Sequence, residues 1–298
     1  MRAEGLTALS CAQILFRSPN IPRGAAMQLC HRRHRSTASQ QSTLAELSPR
    51  WLSDVKQRLG VCLTWGLKPE QTQEAGEILQ EIARDWRDLL AGREGFLTSK
   101  QRRSTFRQQV VWGEQDSMAK VCLSSFKGHV NNVVYNRYAE TGRVDWFLKL
   151  ARVDPPNAEA WRTILTPKDL GLLLKSIRTD FKFPMKYPDH VSIYHKLSTE
   201  PVEGADSFIM DVIILSEVHQ RPAARCVEDC VLYDYRVAKK APLHPFMLDV
   251  LRETWKLQEE TKRINSERVV ALLDRVRKLE KDSWDRKGAV EEMGSAGS

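Results

Sequence analysis

No apolar run in this sequence approaches the ~20 residues that a membrane-spanning helix requires; residues 8–16, the first apolar stretch, are too few and too polar. The chain also lacks a G-x-S-x-G elbow, a glycine-rich phosphate loop, an H-E-x-x-H pair and any Cys-x-x-Cys. Serine-hydrolase, nucleotide and zinc chemistries therefore rank low. Cysteine is sparse and scattered, at positions 11, 30, 62, 122, 226 and 230, with no metal-ligand spacing. Cys226 and Cys230 fall on one face of a predicted strand and read as small core residues rather than ligands.

Acid is nearly missing from the first 45 residues, which hold six arginines (Arg2, Arg17, Arg23, Arg32, Arg33, Arg35), no lysine and only Glu4. That segment contributes +5 of the formal +8, leaving about +3 for everything after it, too little to argue a nucleic-acid partner. An Arg-rich, Ser-rich, acid-poor start fits a mitochondrial presequence over residues 1–40, cut near Arg35-Ser36-Thr37, and an expected matrix location without a membrane span. An ordinary basic tail is the other reading of the same composition.

What is present is enough for a core: 298 residues with 42% hydrophobic content. A Ser/Gln-rich linker at 36–43 leads into a helical N-terminal extension over 41–100. Within it, Ile78, Leu79, Ile82, Trp86, Leu89 and Leu90 share one side of a helix over 69–91, which Pro69 starts and Gly92 stops. Residues 105–112 read as a strand and 131–151 as a long helix, with Val134, Tyr138, Val144, Phe147, Leu148 and Ala151 able to face a sheet. Gly142 sits inside that helix at a cost of around 1 kcal/mol relative to Ala, which close approach to a strand would explain. Four β-rich runs follow at 171–183, 190–198, 206–218 and 225–238. Strand, long helix, then antiparallel strands is an α+β order, one helix wrapped by one curved sheet. A charged helix over 242–287 carries Val269, Leu272, Val276 and Leu279 as a narrow stripe, to cover its own domain or to meet another subunit. Residues 288–298 read as a disordered tail.

The chemistry-bearing segment is Gly128-His129-Val130-Asn131-Asn132-Val133-Val134-Tyr135, which places a glycine, a histidine and two amides at the start of the long helix. With Val110-Val111-Trp112-Gly113-Glu114-Gln115-Asp116-Ser117 upstream, it resembles the active-site segment of hot-dog-fold acyl-CoA thioesterases of the 4-hydroxybenzoyl-CoA thioesterase-like superfamily, in the manner of a fungal-type mitochondrial member. The resemblance covers roughly residues 105–240. Phe181-Lys182-Phe183-Pro184-Met185-Lys186-Tyr187-Pro188-Asp189 also looks like the stretch where a strand of that superfamily turns before the next hairpin arm. The resemblance implies a hot-dog domain over 101–241, an acyl-CoA substrate, no cofactor or metal, and a homodimer or tetramer.

In that family the catalytic Asp precedes the Gly of Gly-His-Val-Asn-Asn by three residues, the place Ser125 holds here when no gap is allowed. Removing residues 119–127 (AKVCLSSFK) would put Asp116 there instead. The nine residues are either a surface loop whose ends stay adjacent or a splicing or gene-model artefact. A long loop is thermodynamically tolerable, since each doubling costs about 0.6 kcal/mol.

Thioester hydrolysis needs a carboxylate and donors for a developing oxyanion, and a helix N-terminus supplies such donors. The resemblance implies Asp116 as nucleophile or general base, with His129 and Asn131 as polar groups of the site. It also implies the Gly128 and Val130 amides as oxyanion donors, and Asn132 and Tyr135 against the substrate. Asn131 and Asn132 could equally orient water or cap the helix. Glu140 is a possible second carboxylate or a solvated helix acid. Arg178, Lys182 and Lys186 could meet coenzyme A phosphates or be plain surface charges. Tyr135, Tyr138, Trp146 and Phe147 could line an acyl pocket or fill the core. Two functions stay open at this point: a mitochondrial acyl-CoA thioesterase, or a catalytically inactive hot-dog protein serving as an acyl-binding or interaction module in a matrix complex.

Overall fold

The computed structural model describes residues 47–48, 50–116 and 128–289. The presequence, the Ser/Gln linker, the 119–127 segment with Cys122 and Ser125, and the end of the tail lie outside the described residues. All described residues belong to one compact unit, Ser42–Ser298. The helices are α1 (Trp51–Thr64), α2 (Pro69–Leu90), α3 (Asn132–Val153), α4 (Ala158–Thr163) and α5 (Pro245–Asp282). The strands are β1 (Gln108–Gln109), β2 (Gln115–Asp116), β3 (His129–Val130), β4 (Leu170–Phe181), β5 (His190–Leu197), β6 (Ser207–Ser216), β7 (Arg221–Asp234) and β8 (Lys239–Lys240).

The main sheet is antiparallel in the order β1-β5-β6-β7-β4, with β8 on β7, and β2 and β3 form a separate two-stranded ladder. A long helix packed on a curled antiparallel sheet in this order is a hot-dog fold, as the resemblance implies. The predicted strand over 105–112 shrinks to two residues, because Val111 and Trp112 leave the ladder for a 3-10 turn over Trp112–Glu114. The Val111 N–H then donates to the Glu114 carboxylate at 2.9 Å instead of to a strand. α1 falls within the helical extension expected over 41–100, whereas α4 has no counterpart in the sequence reading.

Alternation along the strands sorts the core into layers. Val191 and Ile193 of β5 and Val212 and Ile214 of β6 pack with Val134, Tyr135, Tyr138 and Ala139 of α3. Toward the far end of α3, Trp146, Phe147 and Leu150 meet Trp161, Leu197, Met210, Cys230 and the first turns of α5. Tyr194, Ile213 and Leu215 point to the opposite side, where α1, α2 and the second half of α5 cover them. A sheet covered on both faces explains why β5 and β6 are buried along most of their length, with Ser192 and His195 of β5 included.

Val269, Leu272, Val276 and Leu279 are buried in that outer layer, so the α5 stripe covers its own domain. On α3, Val144 is exposed and Trp146 is buried, correcting the expected facing set by part of a turn. Gly142 is where a side chain cannot stand: a Cβ there would lie 2.6 Å from Ile193 Cγ2 and 2.7 Å from His195 Cε1. Cys226 and Cys230 are buried and free, with burial pushing their thiols up to about 11 and about 12. Among the described residues no helix is long and apolar enough to cross a membrane.

Candidate active site

The local fold of the Gly-His-Val-Asn-Asn segment follows from its residue types. Asn131 adopts extended backbone (φ −60°, ψ 141°) and its side chain accepts the Val133 N–H at 2.8 Å, which makes it the N-cap of α3. Its own N–H donates to the Glu114 carbonyl at 3.0 Å, tying the helix start to the Trp112–Glu114 turn. From there the two limbs run as a ladder in which Gln115 faces Val130 and Asp116 faces His129. The backbone of Asp116 is thereby set beside His129 even though residues 117–127 intervene in sequence. Residues 117–127 themselves lie outside the described residues.

Glu114 organises the approach to α3. Its Oε2 accepts the Tyr138 hydroxyl at 2.6 Å and the Val111 N–H at 2.9 Å. Burial and then the hydrogen bond to Glu114 push the Tyr138 phenol well above its ordinary value, so Tyr138 stays a donor at physiological pH. A two-point contact of this kind fixes the turn from which β2 departs. The sequence offers Glu114 only as one acid in the motif, and nothing there pairs it with a tyrosine one helical turn beyond the glycine segment.

The other segment residues divide by what their groups already do. The Val130 N–H donates to the Met185 carbonyl at 2.9 Å and its side chain is fully buried, so it is not an oxyanion donor. The Tyr135 hydroxyl donates to the Phe183 carbonyl at 3.3 Å and accepts the Met185 N–H at 3.1 Å, which locks the 183–185 segment onto α3. Burial raises its phenol, partly offset by that backbone hydrogen bond. Gly128 and His129 are half-buried and Asn132 is exposed. The Asn132 N–H, first of the helix, has no acceptor among the described residues. The next two amides, of Val133 and Val134, are taken by Asn131, so the positive end of the helix is presented at Asn132.

Around this point stand apolar side chains that the fold leaves open. Trp112 is 67% exposed, and Val111, Val133 and Phe181 are exposed too, with Phe181 edge-on to Tyr135 at 5.2 Å. By contrast Trp146 and Phe147 are fully buried against Trp161 and Phe208, so they fill the core rather than line an acyl pocket. Tyr135 and Tyr138 are likewise core. Glu140 is exposed and stays a solvated helix acid. Arg178 and Lys186 are exposed as well, while Lys182 lines a cleft on the α1 side of the sheet.

A family model described as the thioesterase-like superfamily matches residues 110–251, the segment that holds α3, all of the main sheet but β1, and the ladder. No curated protein matches the chain in sequence. Similar solved structures include a thioesterase complexed with coenzyme A and Zn from Thermus thermophilus, at 18% identity over 52% of this chain and 96% of that chain, with a TM-score of 0.39. A putative thioesterase from Pseudomonas aeruginosa shares 18% identity over 50% of this chain and 97% of that chain, with a TM-score of 0.38. A DHNA-CoA thioesterase from Staphylococcus aureus shares 15% over 54% and 92%, with a TM-score of 0.35.

Proposed function

We propose that this chain is an acyl-CoA thioesterase, hydrolysing a thioester to a free acid and coenzyme A at the N-terminus of α3. The family match over 110–251 supports the reaction class. The observation that carries the site is the β2–β3 ladder, which pairs Asp116 with His129 beside the N-cap Asn131.

In this reading Asp116 takes a proton from a water whose oxygen adds to the thioester carbonyl. The Asn132 N–H, Gly128 and the helix dipole stabilise the resulting oxyanion. Collapse of that intermediate expels the coenzyme A thiolate, which regains a proton, and leaves the carboxylic acid. His129 holds or relays a proton at the carbonyl side. Tyr138 and Glu114 position the turn that delivers Asp116, and they act through it rather than on the substrate.

The exposed rim of Val111, Trp112, Val133 and Phe181 supports a homo-oligomer in which a second copy closes the acyl groove, since an apolar cluster beside a polar site is a common mark of an interface. The Arg-rich, acid-poor first 45 residues support delivery to the mitochondrial matrix.

The test is turnover of short- to long-chain acyl-CoAs by purified protein, followed as free thiol. Asp116→Asn is expected to lower kcat by about a hundredfold or more with little change in KM. An unchanged rate would remove Asp116 from the mechanism. Binding of acyl-CoA without turnover by the unmodified protein would replace the hydrolase with an acyl-binding module.

A further inference from the structure

On the side of the sheet away from α3, the start of α1, the turn after α2, the end of β4 and the start of β7 enclose a cleft of about 430 Å³, within the size range of small-molecule sites. Its walls carry Arg50, Arg93, Lys182, Arg221 and Arg225 against a single acid, Glu94. Glu94 is already committed, with both carboxylate oxygens held by Arg225 at 2.7 Å. Arg50, Lys182 and Arg221 form no ion pair among the described residues. The Nε of Arg221 is buried and has no hydrogen-bond partner, while its guanidinium lies 3.9 Å over the Phe183 ring. Burial and then the nearby Arg50 charge hold the Arg221 guanidinium below its ordinary value, a sign of like charges crowded together. The floor is apolar, from Leu90, Phe183 and Pro222.

Cations of one sign gathered over an apolar floor repel one another, and an anion bound between them relieves that repulsion. Guanidinium forks match phosphate oxygens bidentately, and two arginines with a lysine fit more than one phosphate charge. We propose that this cleft binds a phosphate ester with an apolar or aromatic body, its phosphates held by Arg50, Lys182 and Arg221 and its body on Phe183. The α1 and α2 side of the cleft lies outside the matched 110–251 segment, so the N-terminal helices build half of it. Phe183 also links it to the candidate active site, because the Phe183 carbonyl accepts the Tyr135 hydroxyl. The proposal does not need the hydrolase reading.

Calorimetric titration of the full chain with inorganic pyrophosphate, and separately with coenzyme A, tests it without turnover. Pyrophosphate is expected to bind, to weaken as salt rises, and to lose at least about fivefold in affinity in Arg221→Gln and in Lys182→Gln. Lys182 is exposed, so its variant keeps the test valid should loss of the Arg221 stack unfold the protein; thermal melting reports which has happened. If coenzyme A displaces pyrophosphate and Lys182→Gln raises the thioester KM at constant kcat, the ligand is the phosphate end of the thioester. Pyrophosphate binding lost in the variants with KM unchanged assigns the cleft to a separate phosphate ester. No binding at millimolar pyrophosphate, or equal binding to both variants, overturns the proposal.

Discussion

Beneath α3 lies a buried polar cluster that sets what single residues can tolerate. His195 Nδ1 stands 3.0 Å from the Ser104 hydroxyl, and Glu228 Oε1 accepts from Arg143 at 2.7 Å with the His195 ring 3.6 Å from its other oxygen. Gly142 lies directly above. Substituting Gly142→Ala gains about 1 kcal/mol of helix propensity, but the new methyl meets Ile193, locked in the core, and His195, pinned by Ser104. Overpacking of this kind costs about 1–3 kcal/mol, so a net loss in melting temperature is expected, and a variant melting higher than the parent would show that the sheet can yield. Burial alone would push the Glu228 carboxyl up, yet its contacts with His195 and then with Arg143 outweigh burial and hold it below its ordinary value. A depressed folded pKa means stability that is full above the unfolded carboxylate value and is lost as pH falls through the folded one. Glu228→Gln leaves Arg143 unpaired and should cost about 3–5 kcal/mol near neutral pH, with a flatter loss of stability below about pH 5. Urea titrations across pH read both. The need for Gly142 was legible, because a glycine inside an amphipathic helix asks for a close neighbour. The Glu228 cluster was not: the Cys226-x-Glu228-x-Cys230 alternation puts the acid on the core face, but its partners come from α3 and β5 and no spacing announces them.

Elements were legible where they are long and their ends are marked. The bounds of α2, α3 and α5 and of the four long strands agree with the sequence to within a few residues, since each is a long apolar or β-rich stretch bounded by Pro, Gly, Asn or Asp. α1 carries a helical pattern too, in Trp51, Leu52, Val55, Leu59 and Cys62, but Gly60 in its second half weakens the signal. The first strand failed for a different reason: a side-chain carboxylate competed for the Val111 N–H and won. Whether the α5 stripe served its own domain was not decidable from the sequence, because an apolar stripe does not name its partner. The structure gives it α1 and α2, with Arg275 reaching Glu74 at 2.6 Å and Glu81 at 2.9 Å, and Arg268 reaching Asp85 at 2.6 Å. Those pairs are partly exposed and set register more than stability. Burial of the stripe carries the energy, so Leu272→Ala should destabilise the protein by about 2–5 kcal/mol while Arg275→Gln costs under about 1 kcal/mol. Denaturant midpoints for the two variants compare these directly. The reverse order would make the ion pairs, not the stripe, the fastening of α5.

At the scale of the whole molecule, the two helical extensions are not appendages to a hot-dog domain. Tyr194, Ile213 and Leu215 belong to the sheet, yet their cover is α1, α2 and the second half of α5, which flank the matched segment in sequence. Removing that cover would expose a continuous apolar face, so the layers on the two sides of the sheet should unfold together rather than in sequence. The cysteines give each layer its own reporter. Cys62 lies in the outer layer, Cys226 under the first half of α3 and Cys230 under the second. All three thiols are buried and pushed above their ordinary value, burial being the main cause, so each is shielded and largely protonated while the fold persists. Pulsed alkylation along a urea titration, read residue by residue in a mass spectrometer, should show Cys62, Cys226 and Cys230 becoming labelled at one common midpoint that coincides with loss of helical circular dichroism. Labelling of Cys62 at clearly lower urea than Cys230 would mean that α1 and its neighbours detach first, and that the sheet keeps its shape without them.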